Sequence, residues 1–158
     1  MRKALTALAM SALMGLAVIT SAATAQADPA GTFSVACDNA WRGATSGDFY
    51  AYSESNCSGF MGKAEGNDSD WGNSAGPFQG SDTNRASSIL HKGTSGLAVA
   101  VYNGTGTDWG GGYTCLRKGE LYASYLGDNS FTSGAGVDNG ISSHRWAPES
   151  DCRGHFVT

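Results

Sequence analysis

Charge is scarce in this chain, and basic charge is the scarcer kind. Only 15% of its 158 residues are charged, ten Lys and Arg against fourteen Asp and Glu, for a net charge of −4. Without a basic stripe nothing displaces phosphate counterions, so nucleic acid is excluded as a partner, and an anionic membrane surface with it. No segment carries apolar residues at i, i+3, i+4 and i+7 over three turns, which argues against a helical bundle. Past the N-terminal segment, no apolar run is long enough to span a bilayer. The catalytic and metal spacings are missing too. There is no Cys-x-x-Cys pair for zinc. His91, His144 and His155 form no His-x-His or His-Glu-x-x-His pattern, and no Gly-x-Ser-x-Gly elbow occurs. Asp68-Ser69-Asp70 and Asp128 read as solvated loop carboxylates. The chain is expected not to be an enzyme.

What is present points outward from the cell. Arg2 and Lys3 precede an almost wholly apolar stretch from Ala4 to Ile19, and Ala25-Gln26-Ala27 is a small-x-small cleavage signal. Residues 1–27 are therefore expected to be a signal peptide, followed by a loose leader over 28–36 and one domain over 37–158, secreted and monomeric. The signal peptide holds two of the basic residues and none of the acidic ones, so the exported part is the more acidic. Cys37, Cys57, Cys115 and Cys152 then lie in an oxidising compartment, where two disulfides are the default. Three pairings are possible; Cys37–Cys57 with Cys115–Cys152, one in each half, is favoured.

Twenty-three glycines separate short runs rich in Val, Tyr, Phe and Ile, the composition of an all-β sandwich. Phe49 to Tyr52 reads as a strand, Ser53 to Gly59 as its turn and Phe60 to Ala64 as its hairpin partner. Glu65 to Ser81 is polar apart from Trp71 and Phe78, which are expected over the sandwich edge. Further strands are expected at Ser88 to His91, Leu97 to Tyr102, Tyr113 to Leu116, Leu121 to Leu126 and His144 to Trp146. A tail to Thr158 is expected to be held by Cys152 alone.

The chain also resembles itself. Thr83-Asn84-Arg85-Ala86-Ser87-Ser88 is repeated, imperfectly, as Asp138-Asn139-Gly140-Ile141-Ser142-Ser143, and each copy follows an aromatic strand and a glycine-rich hairpin. Two repeats, about 47–92 and 97–146, organise the domain. The aromatic strand, the hairpin with a fixed glycine and the Asn/Asp-Asn/Asp-x-x-Ser/Thr-Ser motif resemble the Greek-key unit of βγ-crystallins. In a secreted chain with two cysteine pairs, they are similar more specifically to bacterial peptidase-inhibitor family thirty-six, the metalloproteinase-inhibitor type. The likeness runs from about Phe49 to Trp146. The chain departs from the pattern where Cys57 replaces the hairpin aromatic, where the second hairpin is longer, and where Thr83 replaces Asn or Asp.

The resemblance implies a double Greek-key sandwich of two repeats and inhibition of an extracellular peptidase of the thermolysin type. In that reading Leu116 fills the pocket after the scissile bond and the Cys115 carbonyl faces zinc, although Lys118-Gly119-Glu120 stands where the family has a second cysteine. The alternative is a calcium-binding structural or stress protein. No cofactor is required, but Asp138, Asn139, the Gly140 carbonyl and Ser142 are oxygen donors that suit calcium. Asn84 and Ser87 form a weaker first set, because Thr83 lacks a carboxylate. A glycan-binding module is a third reading, resting on Trp71, Trp109, Tyr113 and Tyr125 in Gly/Asn/Asp loops.

Overall fold

The computed structural model describes residues 34–158. The expected signal peptide, and the leader up to residue 33, lie outside the described residues. Alternation along the strands builds the core. In β1 (Phe49–Glu54) Phe49 and Ala51 point inward, as do Val99 and Val101 in β4 (Ala98–Tyr102). The intervening Tyr50 and Tyr52, and Ala98, Ala100 and Tyr102, face outward into two smaller clusters. Hairpin partners β2 (Ser58–Ala64) and β5 (Tyr113–Leu116) flank them, with β3 (Ser88–His91), β6 (Tyr122–Ala123) and β7 (Ser143–Ala147) completing the set. One sheet has the order β2-β1-β3-β6 and the other β5-β4-β7, all pairs antiparallel.

The expected third strand of the second repeat is shorter than Leu121 to Leu126 and belongs to the other sheet. β6 pairs with β3, Ile89 opposite Ala123 and Leu90 opposite Tyr122. The first repeat returns the exchange: Asp68 bridges to His144 of β7, with N–H to carbonyl distances of 2.9 and 2.8 Å in the two directions. Asp68 and Ala123 lie the same 55 residues apart as Asn84 and Asn139. The second repeat thus lends β6 to the first repeat's sheet, the first lends the bridge at Asp68 to the second's, and the core is shared between them.

Four further expectations are corrected. Val35–Gly43 is a helix, α1, so the leader is not loose up to residue 36; Ser34 caps it by accepting from the Cys37 N–H at 3.3 Å. Nine residues are too few to show the periodicity sought in the sequence, and tertiary contacts hold them: Trp41 Nε1 donates to the His91 carbonyl, and Cys37 is bonded to Cys57. Trp71 and Phe78 do not lie over an edge. They stack at 4.1 Å between ring centroids inside the main core, both fully buried. The Asp68 carboxylate makes that possible, accepting from the Asp70 and Phe78 N–H groups at 3.1 and 3.2 Å, so it is a buried loop organiser and not a solvated acid. Finally, the tail has more than Cys152. Cys115 N–H donates to the His155 carbonyl, Val157 N–H to the Cys115 carbonyl, and Val157 is buried in the main core.

The disulfides are Cys37–Cys57 and Cys115–Cys152, as favoured. Each fastens a covering segment to the outer face of one sheet: α1 over Tyr50, Tyr52 and Leu90, and the turn Glu149–Cys152 over Ala98, Ala100 and Tyr102.

Candidate functional site

The two repeated motifs form matching corners. Asn84 and Asn139 are both left-handed, with φ of 57° and 54°, a conformation that Asn tolerates better than most residues. Asn84 N–H donates to the Ile141 carbonyl at 2.8 Å and Asn139 N–H to the Ala86 carbonyl at 2.9 Å, so each corner grips the other motif. Ser87 N–H then bonds to the Tyr52 carbonyl and Ser142 N–H to the Tyr102 carbonyl.

The last serine of each motif sits beneath its own hairpin. Ser88 Oγ donates to the Glu54 carbonyl at 2.6 Å and accepts from the Cys57 N–H at 3.0 Å. Ser143 Oγ donates to the Gly104 carbonyl at 2.6 Å. These hydroxyls satisfy hairpin backbone groups that the sheet ladder leaves out. At the tips Gly59 and Gly111 take φ of 66° and 81°; a Cβ on Gly111 would strike the Gly104 backbone.

At the first motif position the symmetry fails. In the first corner Thr83 Oγ1 donates to Ser142 Oγ at 3.0 Å, and Ser142 Oγ donates to Asn84 Oδ1 at 2.9 Å. That chain of neutral hydrogen bonds is closed. In the second corner Asp138 replaces Thr83. Its Oδ2 accepts from Asn139 Nδ2 at 3.2 Å, but Oδ1 is buried with no hydrogen-bond partner among the described residues. An orphaned carboxylate oxygen of this kind is costly and is normally matched by a donor or a cation.

The donor set expected from the sequence is therefore regrouped. Ser142 belongs to the first corner, and the Gly140 carbonyl already accepts from Asn103 Nδ2 at 2.8 Å. Asn84, read with Ser87, is bonded instead to Ser142. Ser87 follows Ala86, whose carbonyl accepts from the Asn139 N–H at 2.9 Å. Among the described residues no three His, Cys, Asp or Glu side chains gather to hold a metal, so a cation here would need hydroxyl and carbonyl oxygens as well. The second corner leaves one carboxylate oxygen, Asp138 Oδ1, of the kind a hard cation takes, whereas in the first corner Thr83, Ser142 and Asn84 are bonded to one another. The sequence reading missed Asn103, whose only signal was its place just after the second aromatic strand.

The expected inhibitory pair is placed differently from the requirement. Cys115 and Leu116 are fully buried, Leu116 within the main core. The Cys115 carbonyl, proposed to face a zinc ion, accepts from the Val157 N–H at 2.9 Å. As folded, neither presents itself to an enzyme. The next residues do: Arg117, Lys118 and Gly119 are exposed. They form a turn closed by the Glu120 N–H to the Arg117 carbonyl, with Lys118 N–H held by Glu149 Oε1 at 2.9 Å and the Arg117 guanidinium 4.0 Å over the Phe156 ring.

One exchanged strand and its reciprocal bridge, two hairpins with serines beneath them and two left-handed corners decide the architecture. The fold is βγ-crystallin-like. No family model matches the chain, and no curated protein does. Solved structures that it is similar to include one described under the evolution of the eye lens βγ-crystallin domain fold, 18% identical with a TM-score of 0.47, over 66% of this chain and 89% of that one. Another is a βγ-crystallin from an archaeon, 22% identical with a TM-score of 0.44, over 65% of this chain and 99% of that one. The βγ-crystallin-like fold stands on strand order and hairpin geometry rather than on these likenesses.

Proposed function

We propose that the protein is an exported, non-catalytic βγ-crystallin-type module that inhibits an extracellular peptidase. The sequence resemblance supplies the activity. The observation that supports it is the pair of disulfide-fastened covers, which order the loops before any partner arrives, so that little conformational entropy remains to be lost on binding. The contact surface is the exposed turn Arg117 to Glu120, not the buried Cys115-Leu116 bond. Its basic side chains favour an enzyme that takes Arg or Lys, in addition to the thermolysin type expected from the family. The test is a panel of zinc, serine and cysteine peptidases titrated with the purified mature protein. Inhibition that weakens in Arg117→Ala and Lys118→Ala supports this reading, and a panel without any inhibition removes it.

A second reading is favoured by the Asp138 oxygen: a calcium-stabilised structural module. In it Asp138 and Ser87 hold the ion, which supplies charge neutralisation and ties the two repeats together. Calcium at a hundredfold its dissociation constant would add about 2.7 kcal/mol, several degrees of melting temperature for a domain of this size. The shift between calcium and chelator should vanish in Asp138→Asn. An unshifted wild-type melt would dispose of this reading without touching the first.

A further inference from the structure

The aromatic residues singled out in the sequence separate in the structure, and two of them come together in a cleft that neither reading above uses. Trp71 is fully buried, with its Nε1 donating to His144, so it stacks on nothing from outside. Tyr125 is exposed but stands apart from the cleft. Trp109 and Tyr113, both part-exposed, flank Tyr102 at ring-centroid distances of 5.3 and 6.2 Å. They wall a cleft of about 480 Å³ between the second hairpin and the C-terminal turn, within the range of small-ligand sites.

Arg145 crosses its floor. Its Nε donates to the Tyr102 hydroxyl at 2.7 Å and its Nη2 reaches Asp151 at 3.4 Å, which leaves further guanidinium N–H groups for a guest. Asp108 and Arg153 complete the rim. Two acids thus face two bases, so the cleft prefers neither an anion nor a cation. It offers donors, acceptors and aromatic faces together, the combination that an uncharged ring with paired hydroxyls requires.

The corresponding face of the first repeat is covered. Cys57 occupies the place of Trp109, with φ of 53° against 54°, but there the disulfide to Cys37 pulls α1 across the face. The left-handed conformation of Trp109 therefore belongs to the hairpin, whereas the open cleft beside it belongs to the second repeat alone. We propose that this cleft binds an uncharged pyranose unit of a polysaccharide, with Trp109 as the stacking platform and Arg145, Asp151 and Asp108 as hydroxyl partners.

The experiment titrates the mature protein with cellohexaose and with chitohexaose, by calorimetry and by saturation-transfer NMR, alongside an unrelated peptide library. Binding of one of the two glycans is expected, weakened about tenfold or more by Trp109→Ala and by Asp151→Asn, and unaffected by Asp128→Asn on a distant exposed loop. Asp151 is exposed, so its variant remains informative if Trp109→Ala loosens the hairpin. Binding of neither glycan overturns the proposal. So does glycan binding indifferent to both cleft variants, or a cleft that takes peptides instead.

Discussion

Thr83 and Asp138 are alike in size and opposite in what they ask of their surroundings. Thr83 brings a proton that completes a hydroxyl chain through Ser142 to Asn84; Asp138 brings an acceptor that finds nothing to accept from. The serines beneath the hairpins have a plainer role, with a prediction attached. Ser88→Ala strips partners from both the Glu54 carbonyl and the Cys57 N–H, and Ser143→Ala from the Gly104 carbonyl. Each should cost about 1–3 kcal/mol in chemical denaturation, Ser88→Ala the more. His144 sets the acid limit. Trp71 Nε1 can only donate, so His144 Nδ1 accepts at 2.9 Å and Nε2 carries the proton toward the Gly66 carbonyl at 3.0 Å. That tautomer is neutral, and burial pushes the pKa from 6.5 down to about 3. The unfolded chain takes up this proton below about pH 6.5 and the folded chain does not, so stability present above 6.5 is lost as pH falls toward 3. Burial lowers His91 in the same direction. Melts at pH 7, 5 and 4 should show the decline, and His144→Gln should flatten it while starting from a lower melting temperature.

At the scale of elements, the two disulfides do separate jobs. Cys37–Cys57 closes 20 residues and holds α1; Cys115–Cys152 closes 37 and holds the C-terminal turn. Loop-closure entropy assigns about 3 kcal/mol to the first and about 4 kcal/mol to the second. Replacing Cys37 and Cys57 by Ser should release α1, exposing Trp41 with a red-shifted emission, while amide exchange in the two sheets stays slow. The motif serines and the hairpin glycines could be read in advance, because a repeated pattern shows itself without coordinates. The helix could not, since nine residues held by a cap and a sulfur bridge carry too little periodicity of their own.

The exchange of strands makes the two repeats one folding unit. Residues Phe49, Trp71, Phe78, Ile89, Val99, Leu116 and Ile141 share a single core. A fragment ending at the Gly93 to Gly96 seam lacks β6 and leaves the Asp68 bridge without β7. It should therefore remain unfolded by circular dichroism and regain structure only when mixed with the second half. An isolated half that folded would contradict the shared core.

The amino-acid pattern alone determined the class of fold, the duplication and the residues that turn the corners, because each is written in local spacing and residue type, whereas the structure chose among the three cysteine pairings. Tertiary structure decided which oxygen faces which. It drew Ser142 to Thr83 and Asn84, gave the Gly140 carbonyl to Asn103, sank Leu116 into the core and left Asp138 with an unmatched atom. Those outcomes depend on strands crossing between sheets, and contacts between residues far apart along the chain leave no trace in the spacing of either one.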